Sequence, residues 1–441
     1  MNVLLVDRSG RGHSFADAFI RTNSQVTIHY APGCAAVDGE RIKSAQHLRL
    51  SDHNGLVEYA KSNAIDFAFV TNAAALADGV VDSFRSSGVP VIGPDREASR
   101  LESSKIFAKA LFTKYGIPTP AHKPFDDAAS ARSFVRSSSR KLVVKADGLC
   151  GGNGAFVCDS VADAEKAIDL LMTERVFGES GDRILIEERV YGKEFSFFAL
   201  LDGENYLVLP MAVDYKKSHD ANGGVNSGGM GALSHHPLEC ERLVRKVKDR
   251  LIAPILRLIK EEGLKYCGPI YLGCILVGDE PVLLEINARM GDPESEVVLP
   301  RIETDFVDIC GAILERRLNA QPIRLNGLHF CDVVATQGPT AARNPSDPPS
   351  GYPGWPFGAF SRHHPISGLN QISPEECRVF IGEATVLPDL GLVSDGGRVV
   401  HVVGFGHTAD ESAQRSLRGV RNVRFEGVRY RTDIGTIMPW D

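Results

Sequence analysis

Two groups of residues have the types and spacing of a site for phosphate and metal. Residues 148–154, GLCGGNG, lie between two apolar runs that predict strands, and Lys145 lies on the strand before them. Glycines allow backbone N–H groups to converge on an anion, and a nearby lysine adds positive charge. The segment matches neither standard nucleotide-binding fingerprint, so a tight hairpin turn and a phosphate cradle both stay open.

The second group closes another predicted strand. Glu285 and Asn287 are two residues apart, so their side chains point to the same face of that strand. A carboxylate and an amide carbonyl suit Mg²⁺, which takes few protein ligands together with waters and phosphates. The alternative is a structural ion pair between Glu285 and Arg289.

The first hundred or so residues predict the element that would hold a ligand beside these groups. Apolar runs at 3–6, 65–70 and 89–93 predict strands, and helical segments alternate with them. Such alternation is typical of a parallel sheet with right-handed crossovers. Ligands bind beyond the carboxyl ends of such strands, so we expect the loop at 7–13 to face a ligand.

Further along the chain the pattern mixes helices, hairpins and loops. A helix is expected over 103–116, and a second helix over 239–262. Ser160 and Asp163 have the spacing of a capping box. Residues 213–233 are glycine-rich and predict a long loop without regular structure, and residues 337–370 predict a surface insertion or linker.

Composition limits the class of protein. The 441 residues suggest about three domains, and a hydrophobic share of 43% with 24% charged residues is ordinary for a globular protein. A net charge of −7 argues against a general nucleic-acid binder. We expect no membrane span and no signal peptide, since no apolar run is long enough. The nine cysteines are scattered without a CxxC pair, which predicts reduced thiols in the cytoplasm and no cysteine-based zinc site.

Seven segments together resemble the phosphoribosylamine–glycine ligase family of purine synthesis, which belongs to the ATP-grasp superfamily. They are residues 89–120, 142–149 (LVVKADGL), 184–197 (ILIEERVYGKEFSF), 209–217, 223–234 (GGVNSGGMGALS), 283–301 (LLEINARMGDPESEVVLPR) and 395–435. The resemblance runs nearly from end to end, and the combination is far more specific than any single glycine loop.

The resemblance implies an α/β fold (α+β when the whole chain is considered) of the ATP-grasp type. It implies a Rossmann-like pre-ATP-grasp domain at 1–102, a linker helix at 103–120, a small lid at 121–187, a central ATP-grasp domain at 188–325 and a β-rich C-terminal domain at 326–441. The last of these would contain the insertion near 337–370.

The activity that the resemblance implies is ATP-dependent amide formation through an acyl phosphate, from glycine and phosphoribosylamine to glycinamide ribonucleotide, ADP and phosphate. The implied ATP-binding residues are Lys105, Lys145, Gly151, Gly152, Asn153, Gly154, Glu187, Glu188, Val190 and Glu194. The implied metal ligands, for Mg²⁺ or Mn²⁺, are Glu285 and Asn287. The implied catalytic residues are Asp214, Lys216, Arg289 and Asp292, and the implied substrate-binding residues are Arg11, His13, Asn226, Gly228, Gly229, Gly231 and Glu294.

The chain departs from the family at several positions. Asn153 stands in place of a lysine of the glycine loop, and Glu296 stands where the family often has glutamine. In the N-terminal loop, Asp7 replaces a glycine and Gly12 replaces a glutamate. A carboxylate beside a phosphate is unfavourable unless it is paired, and we expect Arg8 to pair with Asp7. Residues 71–76, TNAAAL, lack the acid of the family's turn at the amine site.

These departures leave three hypotheses open. The first is the purine-synthesis ligase, and the second is a diverged ligase that joins a carboxylate to a different amine in specialised metabolism. The third is a nucleotide-binding pseudoenzyme, against which the Glu285 and Asn287 pair argues. Under all three we expect small-molecule partners (ATP, an amino acid and an amine), no nucleic acid, no membrane, and a monomer or homodimer. The histidine pairs at 235–236 and 363–364 are expected to be exposed loop residues.

Overall fold

The computed structural model describes residues 1–338 and 362–441 of the chain. The insertion or linker predicted at 337–370 therefore lies for the most part outside the described residues. In the part of the chain that is described, no helix is both long and apolar enough to cross a bilayer.

A parallel sheet begins the chain, as the alternating pattern predicts. Its strands are β1 (Asn2–Asp7), β2 (Thr27–Pro32), β3 (Ile42–Ser44), β4 (Phe67–Val70) and β5 (Val91–Ile92), and its helices are α1 (Gly10–Thr22), α2 (His53–Ser62), α3 (Ala73–Asp78), α4 (Val80–Ser86) and α5 (Arg96–Ser103). The strand order is β3-β2-β1-β4-β5, with every pair parallel. The order reverses direction at β1, so the loops after β1 and β4 border a crevice of the kind that binds ligands.

A four-stranded antiparallel sheet follows helix α6 (Lys105–Lys114). It contains β6 (His122–Phe125), β7 (Leu142–Ala146), β8 (Ala155–Cys158) and β9 (Ile184–Glu188), with helices α7 (Ala128–Ser137) and α8 (Val161–Ile168). The glycine segment joins β7 to β8 as a hairpin. The capping box at Ser160 and Asp163 is confirmed. The helix predicted over 103–116 is shorter than expected, because α5 ends at Ser103 and the Ser104 hydroxyl caps α6.

A large antiparallel sheet, whose strands differ in length, contains most of the strands in the rest of the chain. The remaining strands are β10 (Lys193–Leu201), β11 (Tyr206–Val208), β12 (Ala212–Asp214), β13 (Lys217–His219), β14 (Gly223–Asn226), β15 (Gly231–Ser234), β16 (Gly268–Val277), β17 (Glu280–Asn287), β18 (His329–Gln337), β19 (Cys377–Ile381), β20 (Ala384–Leu387), β21 (Gly391–Ser394), β22 (Arg398–Gly406) and β23 (Val428–Arg429). The large sheet runs β17-β16-β10-β12-β15-β18-β22-β19, while β13 pairs only with β14 and β20 with β21. The remaining helices are α9 (Glu241–Val247), α10 (Ala253–Glu261), α11 (Ser295–Val298), α12 (Phe306–Leu314) and α13 (Ala409–Val420).

The prediction of a long loop without regular structure at 213–233 is wrong. Strands β12 to β15 occupy most of it, and a turn at Ala221 and Asn222, both with positive φ, reverses the chain between β13 and β14. Glycine-rich strands give a weak sequence signal, because glycine lacks the side chains that strand propensity reflects. Their pairing partners are also distant in sequence, so local pattern cannot reveal them.

One sheet crosses the boundary predicted at 325/326, because β15 pairs with β18. Residues of β18 and β22 therefore lie in the same layer as β10 and β12, which precede them by more than a hundred positions. The domain limits stay predictions, but this continuity brings C-terminal side chains to the ligand crevice.

Candidate active site

A cavity of about 460 Å³ opens where the N-terminal crevice, the glycine hairpin and β17 meet. A second cavity of about 350 Å³ lies on the other side of a shared wall. That wall contains Glu187, Asp214, Lys216 and Glu285. Predicted site residues that line the first cavity alone are Arg11, Lys105, Gly151, Gly152, Gly154, Gly228, Asn287, Arg289, Asp292 and Glu294. Those that line the second alone are Lys145, Glu188, Val190, Glu194 and Asn226.

Four predicted site residues line neither cavity. His13 lies against β19, where its Nδ1 accepts a hydrogen bond from the Ile381 amide at 2.9 Å. Burial lowers the pKa of His13 to about 4, so its imidazole is neutral. Asn153, Gly229 and Gly231 also line neither cavity, although Gly152 and Gly154, next to Asn153, and Gly228, next to Gly229, line the first.

A buried cluster of two lysines around one glutamate forms part of the shared wall. Glu187 Oε2 lies 2.8 Å from Lys145 Nζ, and Glu187 Oε1 lies 2.9 Å from Lys109 Nζ. Burial alone would raise the pKa of Glu187, but Lys145 and Lys109 outweigh it and hold the pKa below its usual value. Burial lowers the pKa of Lys109 to about 8 despite Glu187. We call Lys109, Lys145 and Glu187 the lysine cluster.

Lys109 is a site residue that the sequence analysis missed. It lies one turn after Lys105 on α6, and residues four apart share a helix face. That spacing was the available signal. Lys105 itself lines the first cavity, and its Nζ donates to the Gly148 carbonyl at 3.3 Å. Helix α6 therefore presents two cations to the same region as the glycine hairpin.

The glycine hairpin lies over the cavity and reaches the opposite loop. Gly151 and Gly152 have positive φ, and a Cβ on Gly152 would lie 3.1 Å from the Cα of Gly228. The Asn153 side chain donates to the Gly151 carbonyl within the same hairpin. The structure is compatible with both interpretations of the segment, since a tight turn also lines the cavity.

The predicted metal ligands Glu285 and Asn287 lie together at the end of β17. Arg289 does not form the alternative ion pair with Glu285. Instead, Arg289 Nη2 lies 2.8 Å from Glu102 Oε1 and donates to Asn287 Oδ1 at 3.3 Å. Burial would raise the pKa of Glu285, but the positive charge of nearby lysines, Lys145 first, outweighs it and lowers the pKa. An ionised carboxylate beside an amide oxygen fits a hard divalent cation.

Asp214, the last residue of β12, and Lys216 belong to the same shared wall as Glu285. Lys216 Nζ is 3.5 Å from Asp214 Oδ2 and 3.4 Å from Glu194 Oε2. Burial raises the pKa of Asp214, and Lys216 only partly compensates. Gly229 is required here, because its φ is 114° and a Cβ would lie 2.4 Å from Pro293 and 2.7 Å from Asp214 Oδ1.

The expected pairing of Asp7 with Arg8 is wrong. Asp7 Oδ2 accepts from Arg11 Nη2 at 2.8 Å and from the Thr71 hydroxyl at 2.6 Å, while Arg8 pairs with Asp395 at 2.7 Å. Arg11 lies four residues after Asp7 on the first turn of α1 and is buried with it, whereas the Arg8 side chain is half-exposed. The Asp7 carboxylate also accepts the backbone N–H groups of Arg8 and Ser9. These are the donors that an anion at this loop would need.

The C-terminal strands add residues that the sequence analysis did not place. Arg398, at the start of β22, lines the first cavity, donates to the Gly228 carbonyl at 2.8 Å and lies 3.0 Å from Asp292 Oδ1. Behind Asp292 lie Glu296, Asp332 and His401, and all three are buried. We call Asp292, Glu296, Asp332 and His401 the carboxylate cluster. Its members are distant in sequence apart from Asp292 and Glu296, so no spacing pointed to it.

The side chains of the carboxylate cluster strongly shift each other's pKa values. Burial and Asp292 raise the pKa of Glu296 well above its usual value. Burial would lower the pKa of His401, but Asp332 and Glu296 raise it to about 9. Burial would also raise the pKa of Asp292, but Arg398, followed by His401 and Arg11, lowers it. The expectation that the two histidine pairs are exposed is right for His363 alone: His236 is 2% exposed, and His235 and His364 are partly buried.

Comparison with known proteins adds an independent line of evidence. Three family profiles match the chain: the N domain of phosphoribosylglycinamide synthetase over residues 1–102, its ATP-grasp (A) domain over 103–295 and its C domain over 348–437.

Named relatives match the chain over nearly its full length. The phosphoribosylamine–glycine ligase of Caldanaerobacter subterraneus subsp. tengcongensis is 34% identical over 98% of this chain and 99% of its own length. The ligase of the same name from Archaeoglobus fulgidus is 32% identical, with 100% of each chain covered.

Solved structures are also similar to this chain over nearly its full length. The crystal structure of phosphoribosylamine–glycine ligase from Thermotoga maritima is 29% identical, with a TM-score of 0.79 and coverage of 98% of this chain and 100% of that one. A biotin carboxylase domain of Hydrogenobacter thermophilus 2-oxoglutarate carboxylase, solved with ADP and magnesium, has a TM-score of 0.67 at 14% identity and covers 97% and 91% of the two chains. At that identity the second likeness concerns the fold alone.

Proposed function

The chain belongs to the phosphoribosylglycinamide synthetase family, and from this premise we propose that it joins glycine to phosphoribosylamine at the expense of ATP. The products would be glycinamide ribonucleotide, ADP and phosphate. The observation that carries the proposal is the convergence of Lys105, the lysine cluster and the Glu285–Asn287 pair on two adjoining cavities.

The reaction needs a carboxylate to become an electrophile. An oxygen of the glycine carboxylate attacks the γ-phosphorus of ATP, and the bond from that phosphorus to the ADP oxygen breaks. The amine nitrogen then attacks the acyl carbon, the bond from carbon to the phosphate oxygen breaks, and the nitrogen loses a proton. No side chain has to form a covalent bond.

We propose that the cations of the shared wall stabilise the charge that moves with the phosphoryl group. Glu187 and Glu285 raise the pKa of Lys145, so the ammonium stays charged in spite of burial. Glu187 also fixes the position of both lysines, since each of its oxygens contacts one Nζ. Fixed positive charge in a partly closed cavity is the usual source of rate enhancement in phosphoryl transfer.

We propose that Glu285 and Asn287 hold the divalent cation, Mg²⁺ or Mn²⁺, that ATP-grasp enzymes use. The fit is supported by the lowered pKa of Glu285 and by the neutral amide oxygen next to it. When bound, the cation would offset charge on phosphate oxygens. Arg289 is kept away from Glu285 by its ion pair with Glu102, which leaves the carboxylate available.

We propose that the other predicted residues that line a cavity differ in role between the two cavities. Val190, Glu188 and Glu194 in the second cavity would contact the nucleoside part of ATP. Arg11, Asn226, Gly228, Glu294, Asp292 and Arg289 would contact the amine, glycine or the acyl intermediate. Exclusion of water by the hairpin at 151–154 would protect that intermediate, because acyl phosphates hydrolyse.

Asp214 is our candidate for the group that accepts the amine proton. Its pKa is raised by burial, and Asp214 Oδ1 is buried without a hydrogen-bond partner. Because the ionised form is the acceptor, activity should rise with pH across the raised pKa and then level off. The Asp214→Asn variant should lose that rise in kcat/KM. An unchanged pH profile in the variant would exclude this role.

The test of the overall reaction is product mass spectrometry with ¹⁸O-labelled glycine. Pure protein is incubated with ATP, Mg²⁺, labelled glycine and phosphoribosylamine generated in the assay. We expect glycinamide ribonucleotide, together with one ¹⁸O in the released phosphate, because a glycine oxygen leaves with it. Product without ¹⁸O in phosphate would contradict the acyl phosphate, and absence of product from protein that binds ATP would contradict the choice of substrates.

A second candidate is a ligase for an unphosphorylated amine, and the Asp7 contacts favour it. The Asp7 carboxylate already engages Arg11 and two backbone amides that a substrate phosphate would otherwise use. The test is glycine-dependent ADP release with a panel of amines that lack phosphate. Release with one of them, and none with phosphoribosylamine, would replace the first candidate.

We also propose that the enzyme acts in the cytoplasm as a monomer or homodimer on small molecules. All nine cysteines are free thiols, and six are buried, which suits a reducing compartment. Light scattering during gel filtration would give the oligomeric state. A tetramer or larger assembly would contradict this part of the proposal.

A further inference from the structure

The carboxylate cluster brings a set of metal-ligating atoms together in the interior. Asp292 and Glu296 come from the turn and helix after β17, and His401 comes from β22. One ligand atom from each of the three residues lies within 4.8 Å of the other two. The three side chains come from regions that only the folded chain brings together. No pattern of spacing in the sequence could have indicated the cluster.

Most of the atoms that face each other have no hydrogen-bond partner. Both carboxylate oxygens of Glu296 and the Nε2 of His401 are buried without one, whereas Asp292 Oδ1 is buried 3.0 Å from Arg398 Nη1. Glu296 is 0% exposed and His401 is 1% exposed. A buried polar atom without a partner costs about 1–3 kcal/mol, and more when the group is charged. Such a convergence of unpartnered atoms indicates a bound species between them.

His401 is oriented as a metal-binding histidine would be. Its Nδ1 hydrogen-bonds to Asp332 Oδ2 at 2.7 Å, which fixes the ring. Its Nε2 lies 3.7 Å from Asp292 Oδ1 and points into the cluster. Metal-ligating histidines usually give their second ring nitrogen to a carboxylate in this way, and that contact sets the tautomer.

The balance of charges also suits a divalent cation. Three carboxylates face the single guanidinium of Arg398, while Arg11 is already neutralised by Asp7. The cluster thus has three carboxyl groups against two cations at most, Arg398 and a protonated His401. Gly10 lies opposite, where an added Cβ would be only 2.7 Å from both Glu296 Oε1 and His401 Nε2. Only glycine fits at position 10, so its backbone packs directly against the ligand atoms.

We propose that Asp292, Glu296 and His401 bind a divalent transition-metal ion, with Zn²⁺ as the first choice, at a site separate from Glu285 and Asn287. One imidazole nitrogen and two carboxylates form a ligand set that Zn²⁺ accepts. The ion would fasten the turn that carries Arg289 and Asp292 to the C-terminal strands. Its role is therefore to position the substrate-facing turn, and it goes beyond the reaction proposed above.

The test starts from the unaltered full-length protein. Metal is removed with a chelator, one equivalent of Zn²⁺ is returned, and the protein is dialysed and measured by elemental analysis and X-ray absorption. We expect about one Zn²⁺ per chain with nitrogen and oxygen neighbours near 2.0–2.2 Å and no sulfur. Zinc below about 0.2 per chain would overturn the proposal, and so would a sulfur neighbour near 2.3 Å, because the ion would then be on cysteine.

Variants distinguish a bound cation from the alternative, which is a proton on the Glu296 carboxylate. Glu296→Gln and His401→Asn should each lose at least four-fifths of the zinc and should no longer be destabilised by the chelator. His236→Asn is the matched control: it removes another buried histidine with an unpartnered Nε2 and should keep its zinc. If a proton fills the cluster, the Gln variant mimics the protonated acid, and the unaltered protein shows no loss of melting temperature with chelator. That result would overturn the proposal even if the variants fail to fold.

Discussion

The lysine cluster and the carboxylate cluster lie on different sides of the candidate active site and have opposite charge balances. In the first, two buried lysines share one glutamate, so positive charge is in excess. In the second, three buried carboxylates share one arginine and one histidine. An excess of positive charge suits a phosphate that arrives and leaves, whereas an excess of buried negative charge has to be neutralised permanently. The first cluster therefore fits turnover, and the second fits a structural role.

The N-terminal loop is an intermediate case. Arg11 and the amides of Arg8 and Ser9 resemble an anion site, but Asp7 supplies the anion from within the chain. Burial would raise the pKa of Asp7, and Arg11 and the hydrogen bonds outweigh it, so the carboxylate stays ionised. A substrate phosphate would have to share these donors with Asp7.

The largest effect on turnover is expected at Glu285, the proposed charged ligand of the divalent cation. Glu285→Gln should lower kcat by about 10³-fold or more, because it removes the charged ligand of the divalent cation. The melting temperature should change little, since Glu285 lines a cavity. The control is Glu280→Gln on the same strand, where the side chain is exposed and pairs with Lys246. Normal turnover of Glu285→Gln at ordinary Mg²⁺ would show that the metal binds elsewhere.

The lysine cluster itself should give the next largest effect. Lys145→Met should lower kcat/KM for ATP by about 10²-fold, because one fixed positive charge beside the phosphates is lost. Lys141→Met, which removes an exposed lysine just before the same strand, should behave like the unaltered enzyme. Initial rates at varied ATP measure both. Equal effects of the two substitutions would mean that Lys145 has only a general electrostatic role.

A substitution at Asp7 tests whether the N-terminal loop binds a phosphate, as we propose for the lysine cluster. Asp7→Asn removes the internal negative charge and should lower KM for phosphoribosylamine by about tenfold, since Arg11 becomes available to the substrate phosphate. It should also reduce stability by about 3 kcal/mol, because Arg11 loses its buried partner.

The readouts for Asp7→Asn are amine and ATP saturation curves and chemical unfolding. KM for ATP should not change. Asp17→Asn removes a carboxylate from α1, the helix that carries Arg11, outside the cavity lining, and serves as the comparison. A higher KM for the amine in Asp7→Asn alone would mean that Asp7 contacts the substrate itself.

The smallest effect should come from the glycine hairpin. Asn153→Lys adds a cation near the phosphates and should tighten ATP binding by about threefold to fivefold, in the range of one exposed charge contact. Calorimetry with a non-hydrolysable ATP analogue measures it. Unchanged or weaker binding would show that residue 153 does not point to the phosphates.

Much of the fold was predictable because its signals are local. The apolar run at Val3–Val6, the capping box at Ser160 and the strand that ends at Asn287 all follow from period, caps and turns. The pairing of β13 with β14 was not predictable, since short glycine-rich strands lack such signals. Family resemblance supplied the domain order, and the family profiles and relatives confirm that family.

The site residues likewise differ in whether a local sequence signal marks them. Lys145, Glu285 and Asn287 were found because each lies on a strand beside a recognisable loop. Arg398 and His401 were missed because β22 reaches the site only through its pairing with β18, which lies more than sixty positions earlier. The pairing of Asp7 with Arg11 was missed because a neighbour in sequence, Arg8, was the simpler choice, although α1 begins early enough to bring Arg11 back over Asp7.

The choice of phosphoribosylamine as the amine is tested most directly by a competition between two amines that differ only in the phosphate. Phosphoribosylamine and ribosylamine, each generated in the assay at equal concentration, are offered together with ATP, Mg²⁺ and glycine, and both amide products are quantified by mass spectrometry. We expect the phosphorylated product to exceed the other by at least about tenfold, which is the contribution of one charge-assisted contact. Equal amounts, or an excess of the unphosphorylated product, would contradict it and show that Asp7 has closed the phosphate site.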